Sequence, residues 1–245
     1  QNMFASANSF DQNIGAWRMD SIFRTNGMFG SGSPFNNGGS DSIKDWNVSS
    51  LVVMQGMFSF STAFNQPLTN WDTSNVTNMK EVFRMSVFDQ PLNTWDTSKV
   101  TTMFGMFNGG IFNQDLDLWN TQNVQQLRNM FKENRVFNGN ITTWNTAKIT
   151  TMDSMFYGAW DFNQDISSWG NIPLCIDIDF MFFDALVFNQ PIGSWNLPKV
   201  STMKAVFYGA SVFNSPLNTW DMNGVTRTQD MFRNATLFNQ DLSGW

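Results

Sequence analysis

A chain of 245 residues in which 42% are hydrophobic, 16% aromatic and only 14% charged can bury a core, so its abundant Asn, Thr and Ser do not make it disordered. A formal net charge of −6 argues against nucleic acid or an anionic membrane as an electrostatic partner. No apolar run approaches the ~20 residues needed to cross a bilayer, and the opening QNMFASANSF reads as repeat sequence rather than as a signal peptide.

From its first residues the chain repeats itself. Trp17, Trp46, Trp71, Trp95, Trp119, Trp144, Trp169, Trp195, Trp220 and Trp245 follow one another at intervals of 24 to 29 residues, and Trp160 alone lies outside the series. A Phe stands seven residues before nearly every one, from Phe10 and Phe64 to Phe238. Three before each comes Leu or Ile, from Ile14 to Leu242. Phe35 precedes Trp46 by eleven instead, across the Gly-rich insert NNGGSDS. A period near 25 points to one quasi-one-dimensional array over residues 1–245.

The copy at residues 64–79, FNQPLTNWDTSNVTNM, has two halves. In the first, Pro67, Pro91, Pro191 and Pro216 share a column, which suits the first residue of a strand. A short parallel strand is therefore expected around Leu-x-x-Trp. In the second half, Val76, Met79, Val82 and Phe83 make an apolar stripe at helical period, two turns long, with Ser74 or Ser98 as N-cap. Gly109, Gly158 and Gly209 fall where such a helix would stop.

The expected fold is thus a leucine-rich-repeat-like solenoid of about ten coils, each with one short strand and one short helical turn, and much irregular structure. Stacked at roughly 4.8 Å per coil, the columns become continuous ladders, with the tryptophans from Trp71 to Trp220 as the core ladder. Asn65, Asn113, Asn163, Asn189, Asn214 and Asn239 predict an asparagine ladder. GNIPLCIDIDFMFF, with one extra residue, and FNNGGSDSIKDW, with four, predict bulged coils.

The combined FNQ-(P/D)-L-x-x-W-(D/N)-T and V-x-x-M-x-x-MF pattern, present along the whole chain, resembles the repeat of BspA-like leucine-rich-repeat surface proteins of bacteria and protists. That resemblance implies an irregular leucine-rich-repeat solenoid and, for some members, adhesion to host or matrix. It supplies no catalytic residues.

Chemistry is sparse. The absence of histidine removes the commonest general base and neutral metal ligand. Cys175 is alone, so there is neither a disulfide framework nor a thiolate cluster. Asp72, Asp96 and Asp221 share their column with Asn47, Asn120, Asn145 and Asn196, which reads as a turn and not as catalytic acids. No Asp cluster is dense enough for calcium, the Gly-rich GSGSP and NNGG lack a following Lys-Ser/Thr, and the Met column reads as core. Neither enzyme activity nor a cofactor nor a metal is expected. Four sequons, at Asn47, Asn75, Asn140 and Asn234, need no explanation beyond composition.

Function is then expected on a surface. The pairs before each Trp should project from the strand face, and Thr69, Asn70, Asn93, Thr94, Thr142, Thr143, Ser167, Ser168, Asn218 and Thr219 are the candidate binding residues. They would make a flat polar face for protein or glycan on a host, matrix or neighbouring cell. The expected role is an extracellular or cell-surface binding module. Two alternatives are a scaffold segment of a longer surface protein or filament, packed on further repeats of the same chain, and an ice-binding solenoid. Asp45 and Leu118 interrupt the regular lattice that ice would need.

Overall fold

The computed structural model describes residues 1–245 as a stack of coils held almost entirely by turns and by bonds between coils. Of 108 backbone hydrogen bonds, only 2 lie inside helices or strands. The regular elements are three short 3₁₀ segments: Asn37–Gly39, Asp41–Asp45 and Ser167–Trp169. One column of single-residue parallel bridges runs down the array: Arg24, Val53, Asn78, Thr102, Gln126, Thr151, Asp177, Thr202 and Arg227. These nine residues define coils 1 to 9. An N-terminal half-coil precedes them, its Asn2 N–H bonded to Asn26 O at 2.7 Å.

The expected strand is not there. Trp71 N–H donates to Leu68 O at 3.2 Å, closing a turn whose tip is Thr69-Asn70, and each coil repeats this bond. The reason lies in the spacing. A strand sends side chains three apart to opposite faces, whereas a turn brings Leu68 and Trp71 to the same interior side.

The expected helix is absent too, although its apolar residues are all buried: Val76, Met79, Val82 and Phe83 are at most 1% exposed. The N–H groups of Met79, Glu81, Phe83 and Met85 donate instead to the next coil, to Thr102, Phe104, Met106 and Asn108, at 2.6–3.1 Å. Glu81 and Met85 adopt left-handed φ of 55° and 52°, and the same two columns are left-handed in every coil. Gly109, φ 68°, belongs to the second of these columns rather than to a helix end. A two-turn helix would leave its terminal groups unpaired, while a neighbouring coil satisfies alternate residues along the whole segment. Consecutive turns also return every third residue inward, so this periodicity fits both conformations.

Three aromatic columns fill the core. Within coil 3, Phe83 stacks on Phe88 at 4.0 Å, and Trp95 tilts against Phe83 at 33°. Between coils, Trp71 and Trp95 lie parallel with centroids 6.1 Å apart, an offset stack. From Trp46 onward, every in-register tryptophan also donates its indole N–H to the Leu or Ile carbonyl of the preceding coil, for example Trp119 to Leu92 at 2.9 Å. This explains why the column is Trp and not Phe.

Polar columns lock the same register. Asn113 Oδ1 accepts Asn138 N–H at 2.7 Å, and the ladder repeats from Asp11 to Asn239. The expected asparagine ladder therefore forms, side chain to backbone. Asp11 and Asp89 serve in it as well, because only an oxygen is used. Buried Thr73, Thr97 and Thr121 donate to carbonyls of the next coil at 3.0 Å. The four-residue insert folds as the first two 3₁₀ segments. The coil with one extra residue carries the third, together with an additional bridge from Asn171 to Asn196.

Removing one aromatic from this stack is expected to cost what a packed core loses: Trp119→Ala about 3–5 kcal/mol. Trp119→Phe keeps a ring but frees the Leu92 carbonyl of one donor, worth about 1 kcal/mol for the bond alone. Denaturant midpoints check both. A loss below about 1 kcal/mol for the alanine variant would mean that the column is not packed as described.

Candidate functional site

The sequence-derived candidates are brought together, but on a turn edge and not on a strand face. Thr69, Asn70, Thr94, Thr143, Ser168, Asn218 and Thr219 are exposed there, while Asn93, Thr142 and Ser167 are half-buried. Much of their hydrogen-bonding capacity is spent on the stack. Thr94 Oγ1 donates to Thr69 O at 3.0 Å, and the hydroxyls of Thr143, Ser168 and Thr219 donate likewise to the carbonyls of Asp117, Thr142 and Gly193. Asn70 and Asn93 donate to Asp45 and Asp117 at 2.9 and 2.7 Å. The edge offers a partner few free donors. Nearby, Asp72, Asp96 and Asp221 each accept a backbone N–H two residues on, as do Asn120 and Asn145, so this column caps turns.

A second face carries far more chemistry. It runs in each coil from the bridge residue to the position before the next Phe, beside the bridge ladder. Nine of the fourteen basic residues lie on it: Arg24, Lys80, Arg84, Arg128, Lys132, Arg135, Lys204, Arg227 and Arg233. Eight of the twenty acids join them, leaving this ladder face at +1 and the rest of the chain at −7. Several cations sit over aromatic rings, Lys132 on Tyr157 at 4.6 Å and Arg135 on Trp160 at 4.1 Å among them. Tyr157, Phe183 and Tyr208 stack on one another at 4.5 and 4.4 Å, and Arg233 lies over Tyr208. The faces of these rings are therefore occupied, and only their edges meet solvent.

Beside the cations runs an exposed apolar stripe that includes Met85, Ile111, Val136, Trp160, Leu186 and Val187. A groove of about 550 Å³ opens over coils 3 to 5 between Met85, Ile111 and Val136, with the Met85 side chain lying across Gly109. Arg135 and Glu133 flank it.

Charges on this face are tuned by burial. The Asp153 carboxyl is pushed up by burial, against the pull of Arg128 2.7 Å away. Burial also raises Asp177 and Asp184. By contrast, hydrogen bonds from Ser74 and Ser167 hold the turn carboxyls of Asp72 and Asp165 below the ordinary range. Cys175 occupies the Val76 column, fully buried, with its thiol pushed up to about 12, so it is a core residue and not a nucleophile.

Sequence reasoning missed the ladder face because it assigned these residues to a helix. The available signal was the contrast between columns: the positions before Trp are mostly small and polar, while the outward positions around the Met and Phe of each second half range over Lys, Arg, Phe, Tyr and Asp.

A family model described as a Mycoplasma protein of unknown function, DUF285, matches the chain over residues 1–110, 84–177 and 170–245. The three segments overlap and together span the whole sequence. No curated protein and no solved structure matches it.

A carboxyl held above its unfolded value binds its proton more readily in the fold. Such groups add stability as pH falls from neutral through their raised range, and the gain levels off below the ordinary carboxylate value. Asp177→Asn keeps the Oδ1 that accepts Asp179 N–H at 2.9 Å but removes the titration. The gain in urea midpoint on going from about pH 7 to about pH 5 is expected to be smaller in the variant than in the parent. An unchanged pH response would show that this carboxyl is not held up.

Proposed function

The chain belongs to this tandem-repeat family, and we propose that it is a non-enzymatic binding module displayed at a cell surface, contacting a partner through its ladder face. The resemblance to BspA-like surface proteins supports the setting. The carrying observation is the division of labour among columns: inward positions repeat, whereas the ladder face gathers cations, aromatic edges and exposed apolar side chains, the residue types that anchor interfaces. Contact spread over several coils suits a solenoid. A second reading keeps contact on the polar turn edge, favoured by its column of exposed small residues from Asn70 to Thr219, which Leu118 alone interrupts.

Two sets of substitutions separate the readings. Lys80→Glu, Lys132→Glu and Lys204→Glu together charge the ladder face, one cation per coil. Thr94→Lys, Thr143→Glu and Ser168→Lys charge the turn edge. Both variants should fold, as checked by thermal melting, because none of the six side chains belongs to the buried aromatic columns, although Lys80 and Lys132 are half-buried over Phe104 and Tyr157. Adhesion of labelled protein to host cells or matrix is expected to drop at least about tenfold in the ladder-face variant and to change little in the other. The reverse outcome would move the site to the turn edge. If neither variant loses adhesion, a scaffold role is left.

A further inference from the structure

Across coils 3 to 7 the ladder face holds a basic block and an acidic block that meet between coils 5 and 6, and cations return beyond them at Lys204, Arg227 and Arg233. In coils 3 to 5 it carries Lys80, Arg84, Arg128, Lys132 and Arg135 against Glu81 and Glu133. In coils 6 and 7 it carries five aspartates and no cation, and the sequence has no Lys or Arg anywhere between Lys148 and Lys199. The central stretch, coils 4 to 7, is complementary to itself when turned end for end.

The apolar relief follows the same division. The groove between Ile111 and Val136 lies on the basic side, in coils 3 to 5. On the acidic side Trp160, Leu186 and Val187 stand 36–42% exposed, with no groove between them. Trp160, the one tryptophan outside the repeat, sits at the boundary under Arg135.

We propose that the partner of this face is a second copy of the same chain, docked antiparallel about a two-fold axis at the boundary of coils 5 and 6. That axis sets coil 5 against the partner's coil 6, and coil 4 against its coil 7. Lys132 and Arg135 of one copy then meet Asp161 of the other, with Asp184 one coil further on. Val136 meets Trp160, and Ile111 with its groove meets Leu186 and Val187. A two-fold arrangement makes each contact twice, so opposite charges and matched apolar groups pair on both sides of the axis. Displayed on cells, the module would join like surfaces to like.

This proposal rests on the reading of the ladder face as the contact surface, and sedimentation velocity of the intact chain separates the two. The parent is expected to dimerise at low ionic strength and to dissociate progressively as salt screens the charges. Lys132→Glu with Arg135→Glu turns the basic side acidic at the axis, where only Arg128, already paired with Asp153, remains as a cation. Asp161→Lys with Asp184→Lys puts cations where Lys132 and Arg135 of the other copy would dock, and Asp184 sits in a left-handed column that already tolerates Met85 and Glu133. Each pair-variant alone should be monomeric, and an equimolar mixture should form a heterodimer. Trp160→Ser, outside the core, should weaken the parent dimer at least about tenfold. It also stands as the test should a charge-reversed variant fail to fold. A parent that stays monomeric at about 100 μM in low salt overturns the proposal, as do variants that dimerise like the parent or a mixture that stays monomeric. A monomeric parent whose adhesion is still lost in the ladder-face variant would sink self-association and keep the binding reading. Adhesion indifferent to this face would sink that reading itself.

Discussion

The bond from each tryptophan indole to the Leu or Ile carbonyl of the coil before it sets the terms for the rest of the molecule. That carbonyl already closes the turn of its own coil, as Leu68 O accepts Trp71 N–H at 3.2 Å and Trp95 Nε1 at 3.1 Å. One oxygen thus fixes a local turn and the height of the next coil together. Once the indole is placed, the ring must lie offset-parallel on its predecessor, and the paired Phe columns fill the space beside it. A coil of different length can join only if its surplus leaves these atoms in place. The inserts do this, looping out as 3₁₀ turns between Phe35 and Trp46 and around Trp169.

Without long helices or strands, the backbone must find its partners elsewhere, and the neighbouring coils supply them. Alternate N–H groups between Met79 and Met85 point to the next coil, which demands left-handed φ at two positions per coil. Several of these hold Glu, Met or Phe, conformations that cost L residues roughly 1–2 kcal/mol each. The buried aromatic columns offset that cost, since each large ring removes on the order of 150–250 Å² from water. Local propensity yields here to the stack.

Burial was legible in the sequence and conformation was not. The Phe, Leu, Trp, Val and Met columns identified from spacing are the core, and the asparagine column is a ladder. The strand and helix failed for one reason: spacing reports which side chains share a side, and turns reproduce the i, i+3 pattern that was assigned to a helix. The Leu68-x-x-Trp71 interval already contradicted a strand. For the candidate site, small polar residues before Trp drew notice as an open surface, yet Thr143, Ser168 and Thr219 donate their hydroxyls to the adjacent coil. Whether a hydroxyl is free depends on what lies one coil away, which a single copy of the repeat does not display. The ladder face became visible only when coils stood side by side and Lys132, Tyr157 and Phe183 fell into neighbouring positions.

The central claim, that indole-to-carbonyl bonds set the register of the stack, is tested most directly by hydrogen exchange at the tryptophan indoles, followed by nitrogen-resolved NMR. Nine of the eleven indole N–H groups, from Trp46 to Trp245 in register, are bonded to the preceding coil, whereas Trp17 and Trp160 make no such bond. Slow exchange is predicted for the in-register indoles, deepest in the central coils, with Trp17 and Trp160 exchanging rapidly. If the central indoles, Trp95 to Trp195, exchange as fast as Trp160, the tryptophans do not set the register and the account is wrong.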